Sequence, residues 1–272
     1  MHPSIDLTQA LRQLDLDGTR PAIIHASLSS FGYVEGGAPA IVAALLDHFD
    51  TLVAPAFTYN TMLTPGIGPP DNAIEYGRAA DTNRMSEFFQ PNMPVDKLIG
   101  LVPETLRRHP QAARSSHPIL SFTGVNAAPV LAAQSLAEPL APIQRLVDMD
   151  GWVVLLGVSN RTNTSIHLGE RLAGRRTFVR WGLTPQGVRQ CPGFPSCSDG
   201  FNALDPDLEP VVRIARVAQT IVQAFPLRPL VEITRARVAA DPLALLCVRP
   251  DCPRCAAVRA AVERQAPIHS AN

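Results

Sequence analysis

The sequence has no excess of either charge and no apolar run long enough to cross a membrane. Its 24 basic residues balance its 24 acidic residues, which argues against a general nucleic-acid-binding surface. The longest apolar stretches, such as GWVVLLGV and APAIVAALL, are far shorter than the ~20 residues of a spanning helix. The N-terminal segment carries early acidic residues and no apolar signal core. We therefore expect a soluble, cytoplasmic protein that binds neither nucleic acid nor membrane.

Several familiar catalytic fingerprints are also missing. The chain contains no P-loop and no G-x-G-x-x-G turn, so a nucleotide-binding function has weak support. It has no G-x-S-x-G elbow and no H-E-x-x-H pair, which disfavours an α/β-hydrolase and a zinc protease. The arginine-rich segment RLAGRRTFVRWGL at 171–183 is interpreted as a solvated face or as a contact for the phosphates of a small cofactor.

Cysteine is absent from the first 190 residues and clustered afterwards. Three cysteines form the run C-x4-C-x2-C, and two more flank the segment PGFPS. Clustered cysteines in a protein outside the secretory pathway more often bind metal than form disulfides. We predict a four-thiolate zinc site with the ligands Cys197, Cys247, Cys252 and Cys255. Cys191 could exchange with Cys197, and the alternatives are free thiols or one disulfide.

The alternation of apolar segments predicts the fold class. RPAIIHASL, DTLVAPAFT, ARSSHPILSFTGV and GWVVLLGV are typical of strands, and helical spacing recurs between them, first over residues 5–16. The pattern indicates an α/β fold with a mixed sheet flanked by helices, in a single domain spanning 1–272. Residues 59–94 lack a period and are predicted to form a lid loop. Residues 186–272 are predicted to be a mainly helical, cysteine-bearing part, with two or three helices and a short strand over 208–225 and 229–265.

Polar side chains follow the best predicted strand at helical spacing. Thr164, His167 and Glu170 lie in NTSIHLGE, directly after GWVVLLGV, and would share one helix face. Ligands of open α/β sheets bind at the carboxyl ends of strands, so an active site is expected there. The alternatives are that Asn163 or Thr164 only caps the helix and that Glu170 is a surface charge.

Six motifs in the same order resemble the aminoglycoside 3-N-acetyltransferase family. They are HASLSSFGYVEGG, APAFTYN, NMPVDKLIGLVPETLRRHP, ARSSHPILSFTGV, APIQRL and GWVVLLGVSNRTNTSIHLGE, between about residues 20 and 185. The resemblance implies transfer of an acetyl group from acetyl-coenzyme A to an amine of an aminoglycoside, at the 3-N position, which would confer antibiotic resistance. The alternatives are acetylation of another amine in biosynthesis and a zinc-stabilised binding module without turnover.

The resemblance also implies roles for individual residues. His167 matches the general base and Glu170 its carboxylate, and Thr164 could stabilise an oxyanion. The coenzyme would contact His25, Ser27, Leu28, Ser29, Phe31, Gly32, Thr58, Arg114, Ser115 and His117. The small-molecule amine would contact Tyr59, Asp71, Glu75, Asp81 and Glu170. The balanced charge and the C-terminal cysteines depart from the family pattern. The resemblance therefore supports the coenzyme assignment more strongly than it supports the amine acceptor.

Overall fold

The computed structural model describes residues 7–78 and 80–265, and ten strands are found there in two sheets. The strands are β1 (Ala22–Ala26), β2 (Leu52–Pro55), β3 (Met62–Leu63), β4 (Ala112–Arg114), β5 (Phe122–Val125), β6 (Trp152–Leu156), β7 (Phe178–Thr184), β8 (Gly187–Phe194), β9 (Arg213–Val217) and β10 (Thr220–Pro226). The larger sheet has the order β4-β5-β2-β1-β6-β10-β9, and the smaller has the order β3-β7-β8.

Helices cover both faces of the larger sheet. They are α1 (Leu7–Gln13), α2 (Gly37–His48), α3 (Ala80–Arg84), α4 (Leu101–Arg107), α5 (Ala128–Leu131), α6 (Ala141–Asp148), α7 (Ser165–Leu172), α8 (Asp205–Leu208), α9 (Leu227–Ala240) and α10 (Pro253–Gln265). The start of the helix predicted over 5–16 lies outside the described residues.

Alternate residues of the central strands enter two different cores. Ile23 of β1 and Val153 of β6 belong to the core that includes residues of α6, α7 and α9. Their neighbours Ile24 and Val154 belong to the opposite core, with residues of α1, α2 and α4. Strand β1 is parallel to β2 and β6, whereas β5 and β10 run antiparallel to their neighbours. The predicted mixed sheet flanked by helices is confirmed.

Residues 208–225 are not helical, and this prediction was wrong. They contain the β-hairpin of β9 and β10, with Val217 opposite Thr220 and Ala218 at a φ of 52° in the turn. Burial alternates along β9, as it does in a half-exposed strand. The turn lacks the Asn-Gly or Asp-Gly signal that marks most such hairpins. The predicted strand ARSSHPILSFTGV is likewise divided into β4 and β5 by a turn. The helices predicted within 229–265 are confirmed as α9 and α10.

The segment predicted as a lid, residues 59–94, is mostly irregular. Its short strand β3 pairs with β7 beside Gly182, and its described residues include a 3-10 turn at Tyr59–Thr61 and the α-helix α3. No helix in the described ranges has the length and apolarity that a membrane crossing requires.

Candidate active site

The ends of the parallel strands β1, β2 and β6 meet at one edge of the sheet, where a cavity of about 770 Å³ opens. Ser27 follows β1, Tyr59 follows β2, and both Thr164 and His167 follow β6; all four line the cavity. Parallel strands bring distant segments together in this way, and the predicted site at the strand ends is therefore present.

His167 and Glu170 form a hydrogen-bonded pair on one face of α7. The distance from His167 Nδ1 to Glu170 Oε2 is 2.8 Å, and both side chains are buried. A carboxylate can only accept hydrogen bonds, so Nδ1 carries the proton that is donated. The lone pair on Nε2 then remains for a ligand, and His167 is the member of the pair that lines the cavity. Glu170 is internal, which excludes the alternative of a surface charge.

Three further groups hold this pair in place. Ser196 Oγ donates a hydrogen bond of 2.7 Å to Glu170 Oε2, and Arg175 Nε lies 3.4 Å from Oε1, at ion-pair distance. The ring of Phe201 meets the imidazole edge-on, with 4.7 Å between centroids. Arg175, from the arginine-rich segment, is therefore an internal partner of Glu170 and is not part of a solvated face.

Thr164 lines the cavity and precedes α7. Within the described chain its side chain makes no capping hydrogen bond. Asn163 instead accepts the backbone N–H of Ser165 through Oδ1, at 3.1 Å. The capping alternative thus applies to Asn163, and the hydroxyl of Thr164 remains for a ligand.

The segment after β1 supplies one wall of the cavity. The lining includes five of its six predicted residues, namely His25, Ser27, Leu28, Ser29 and Gly32. The sixth, Phe31, is not in the lining, because its ring is buried in the hydrophobic core shared with α2. Burial lowers the pKa of His25 to about 3, so its imidazole is neutral. Its Nε2 is buried and has no hydrogen-bond partner among the described residues.

Arg114, predicted to contact the coenzyme, is not among the residues that line the cavity. Its guanidinium donates hydrogen bonds of 2.6 Å to the carbonyls of Met93 and Ala56, and another to Ser121 Oγ at 3.0 Å. Burial lowers its pKa to about 10. Arg114 therefore joins the end of the lid segment to the sheet.

Ser115, His117 and Thr58 are also buried and are not among the residues that line the cavity. Ser115 Oγ donates to Gln134 Oε1 at 2.5 Å, and Thr58 Oγ1 donates to the Pro118 carbonyl at 2.7 Å. His117 Nδ1 accepts two backbone N–H groups, from Ile119 at 3.1 Å and Leu120 at 2.9 Å. Their polar atoms thus shape the turn between β4 and β5 and fix the end of β2 to it.

The acidic residues of the lid are exposed and are not among the residues that line the cavity. Each is paired with an arginine: Asp71 with Arg264 at 3.0 Å, Glu75 with Arg78 at 3.5 Å, and Asp81 with Arg84 at 3.3 Å. Of the residues predicted to contact the amine, Tyr59 lines the cavity and Glu170 lies behind His167. Burial raises the pKa of Tyr59 to about 12, so its phenol stays protonated.

Sequence reasoning missed three cations in the cavity wall. Lys97, Arg161 and Arg254 all contribute to the lining. They come from separate segments and share no motif, so only the fold brings them together. Arg254 lies between Cys252 and Cys255 in the sequence. This spacing of cysteines predicts a metal-binding turn, and nothing in it indicates that the arginine contacts a ligand in the cavity.

Four cysteines converge next to this wall. The sulfur atoms of Cys197, Cys247, Cys252 and Cys255 all lie within 4.8 Å of one another, and all four residues are buried. None of the five cysteines is in a disulfide, and Cys191 lies apart in β8. The backbone N–H of Asp199 donates to Cys197 Sγ at 3.5 Å. Geometry thus selects Cys197 over Cys191 as the fourth member of the cluster.

The fold and the site define an α/β protein with a buried histidine–carboxylate pair at the strand ends of a mixed sheet. The family profile described as aminoglycoside 3-N-acetyltransferase matches residues 23–239, and the chain belongs to this family. Aminoglycoside N(3)-acetyltransferase IX of Micromonospora chalcea is 33% identical over 181 residues, covering 61% of each chain. Aminoglycoside N(3)-acetyltransferase III of Salmonella sp. is 30% identical over 184 residues, covering 64% of this chain and 62% of the relative.

The match thus spans about three fifths of the length of these relatives. Among solved structures, the YokD protein from Bacillus subtilis superimposes with a TM-score of 0.77 at 23% identity, covering 89% of this chain and 96% of that one. The apoenzyme of aminoglycoside acetyltransferase AAC(3)-IVa gives a TM-score of 0.73 at 24% identity, with coverages of 94% and 96%. Both superpositions support the same fold.

Proposed function

We propose that this protein transfers the acetyl group of acetyl-coenzyme A to an amino group of an aminoglycoside, at the 3-N position of its family. The observation that carries the proposal is the buried pair of His167 and Glu170, which leaves the imidazole Nε2 free at the wall of a large cavity. The relatives named as N(3)-acetyltransferases support the acceptor. The reaction belongs to the cytoplasm, where acetyl-coenzyme A is available.

The pair suits the proton transfer that amide formation requires. Nε2 of His167 accepts a proton from the amine, whose nitrogen then forms a bond to the thioester carbonyl carbon. The carbon–sulfur bond breaks, and the sulfur leaves with a proton as the free thiol of coenzyme A. Glu170 stabilises the imidazolium that forms, and general base catalysis of this kind contributes roughly 10²–10⁴-fold to the rate. The Thr164 hydroxyl is placed to donate to the developing oxyanion.

The charges of the cavity wall suit the coenzyme. Lys97, Arg161 and Arg254 are its cationic residues, and the described lining includes no carboxylate. Cations of this kind bind phosphate groups. Ser27 and Ser29 add hydroxyl groups from the segment that the resemblance assigns to the coenzyme.

The same cations favour a second candidate, acetylation of an amine that carries less positive charge. An aminoglycoside is a polycation, and like charges repel it unless carboxylates offset them. Asp71, Glu75 and Asp81 are exposed and paired with arginines, so they leave the cavity wall cationic. An amine bearing a single positive charge would meet less repulsion.

The experiment is release of free thiol from acetyl-coenzyme A with two sets of acceptors, aminoglycosides and simple monoamines, with the product identified by mass spectrometry. Mono-acetylated aminoglycoside supports the first candidate. Turnover with the monoamines alone supports the second. No thiol release with either set would contradict the proposed activity.

We also propose that the four cysteines hold a structural zinc ion. A tetrahedral Zn²⁺ with sulfur ligands at about 2.3 Å places the sulfurs about 3.8 Å apart, and a cluster within 4.8 Å fits this arrangement. Four thiolates around Zn²⁺ carry a net negative charge, and Arg249 contacts two of the sulfurs and pairs with Asp199. N–H donors such as that of Asp199 also stabilise thiolates.

Zinc content and thermal stability test this site. Elemental analysis of the purified protein should find about one zinc per chain. Removal of the metal with a chelator should lower the melting temperature, because the ligands converge only in the folded chain. The Cys191→Ala variant should keep its zinc. Native protein with five freely titrating thiols and no metal would contradict the proposal.

A further inference from the structure

One short loop connects the cysteine cluster to the candidate catalytic pair. Ser196 is 2% exposed, and its Oγ donates to Glu170 Oε2 at 2.7 Å. This is the same oxygen that accepts the proton of His167 Nδ1 at 2.8 Å. Ser196 therefore contacts the carboxylate atom that sets the orientation of the imidazole.

The cluster holds this loop from two sides. On one side, Cys197 follows Ser196 directly and is itself a member of the cluster. On the other side, Arg254 Nη1 donates to the carbonyl of Ser196 at 2.9 Å and to that of Pro195 at 3.4 Å. Arg254 lies between Cys252 and Cys255 in the sequence, so both attachments depend on the convergence of the four thiols.

We propose that Ser196 is a positioning residue for the His167–Glu170 pair and that the four-cysteine cluster fixes Ser196 in place. The proposal rests on the proposed acetyl transfer. A carboxylate with one fixed partner can rotate about its terminal bond, whereas Glu170 Oε2 is held by both the Ser196 hydroxyl and His167 Nδ1, and Arg175 Nε lies 3.4 Å from Oε1. Productive catalytic geometry tolerates only about 0.5 Å of displacement, so this constraint affects the chemical step.

Most of the residues that hold Ser196 in place lie outside the part of the chain that matches the family profile. The family profile ends at residue 239, whereas Cys247, Cys252, Arg254 and Cys255 come later. The C-terminal segment thus supports an active site whose other parts lie within the family match.

The first test is the Ser196→Ala variant, alone and combined with His167→Ala. We expect Ser196→Ala to lower kcat about 10-fold and to change the KM for acetyl-coenzyme A less than about 2-fold, because coenzyme contacts remain. In the His167→Ala background the same change should have no further effect, since Ser196 acts through the imidazole. An unchanged kcat, or an equal loss in both backgrounds, would overturn the role of Ser196.

The second test removes the cluster. Cys252→Ser should lose zinc and should lower kcat to a degree similar to Ser196→Ala. Cys191→Ala is the matched control and should keep both its zinc and its kcat. If Cys252→Ser does not fold, wild-type protein treated with a chelator and then resupplied with zinc gives the same comparison. Full kcat in folded, zinc-free protein would show that the cluster does not fix Ser196.

A third readout separates this proposal from the proposed activity. The hydrogen-bonded Nδ1 proton of His167 can be observed by NMR in the resting protein and assigned by its loss in His167→Ala. Ser196→Ala should shift or broaden that signal even if no amine is acetylated. If the wild-type protein shows no turnover, the proposed activity is rejected and the positioning role is not. If the Nδ1 proton signal of His167 is unchanged in Ser196→Ala, the positioning role is rejected.

Discussion

His117 and His167 show that the same side chain can serve structure or chemistry within one fold. Both are buried, but His117 Nδ1 accepts two backbone N–H groups, whereas His167 Nδ1 meets a carboxylate. Burial lowers the pKa of His117 to about 4, so this imidazole is neutral in the folded protein. Its role is to hold the turn between β4 and β5.

The pKa of His117 predicts part of the loss of stability in acid. Between pH 6.5 and about 4 the unfolded chain binds a proton at this site and the folded chain does not, so the free energy of unfolding falls as the pH falls. The shift corresponds to on the order of 3 kcal/mol. His117→Asn keeps an acceptor without a titratable group, and its stability should fall less over this range.

Denaturant unfolding of both proteins at pH 7 and pH 4.5 measures the difference. The His109→Asn variant serves as the control for the substitution itself, since that half-buried side chain follows α4 and its Nδ1 also accepts a backbone N–H, from Gln111 at 3.3 Å. Equal acid destabilisation of wild type and His117→Asn would contradict the structural role.

The packing of α7 against α9 holds His167 and Glu170 over the sheet, and Gly169 permits the close approach. A Cβ at Gly169 would lie 2.5 Å from Thr234 Cβ and 2.9 Å from the carbonyl oxygen of Val231. Alanine in a helix is otherwise favoured over glycine by about 1 kcal/mol. The close contacts of an added Cβ, one of them with a backbone oxygen, outweigh this preference, so an alanine at this position should destabilise the protein.

Gly169→Ala should therefore lower the free energy of unfolding by about 1–3 kcal/mol and lower kcat, because α7 must move. Leu172→Ala, at an exposed position on the same helix, is the matched control and should change both quantities little. Thermal unfolding and turnover measure the two effects. A Gly169→Ala protein more stable than wild type would show that the two helices have room to adjust.

The strand elements were predictable where burial gave a clear signal. β1, β2 and β6 read as apolar runs because both of their faces enter a core. The hairpin β9–β10 was not predicted, because its Ala, Arg and Gln residues suit a helix and its turn lacks glycine. Ile214 and Ile221 are partly exposed on this hairpin, which weakens the alternation that identifies a strand.

At the scale of the whole molecule, the sequence predicted the site where its residues are close in the chain. Thr164, His167 and Glu170 share one turn-and-helix segment, so their spacing alone brings them together. Arg114 and His117 belong to a motif that also lies near the site, but whether a side chain meets backbone carbonyls or a ligand depends on packing. Lys97, Ser196 and Arg254 enter the site only through tertiary contacts, which no local pattern specifies.

The measurement that tests the account most directly is kcat for thiol release from acetyl-coenzyme A with an aminoglycoside, in wild type, His167→Ala and Leu172→Ala. We expect wild type and Leu172→Ala to turn over at similar rates. His167→Ala should lose at least about 10²-fold in kcat with the KM for acetyl-coenzyme A nearly unchanged. Wild-type turnover by His167→Ala would contradict the central claim that this histidine is the general base.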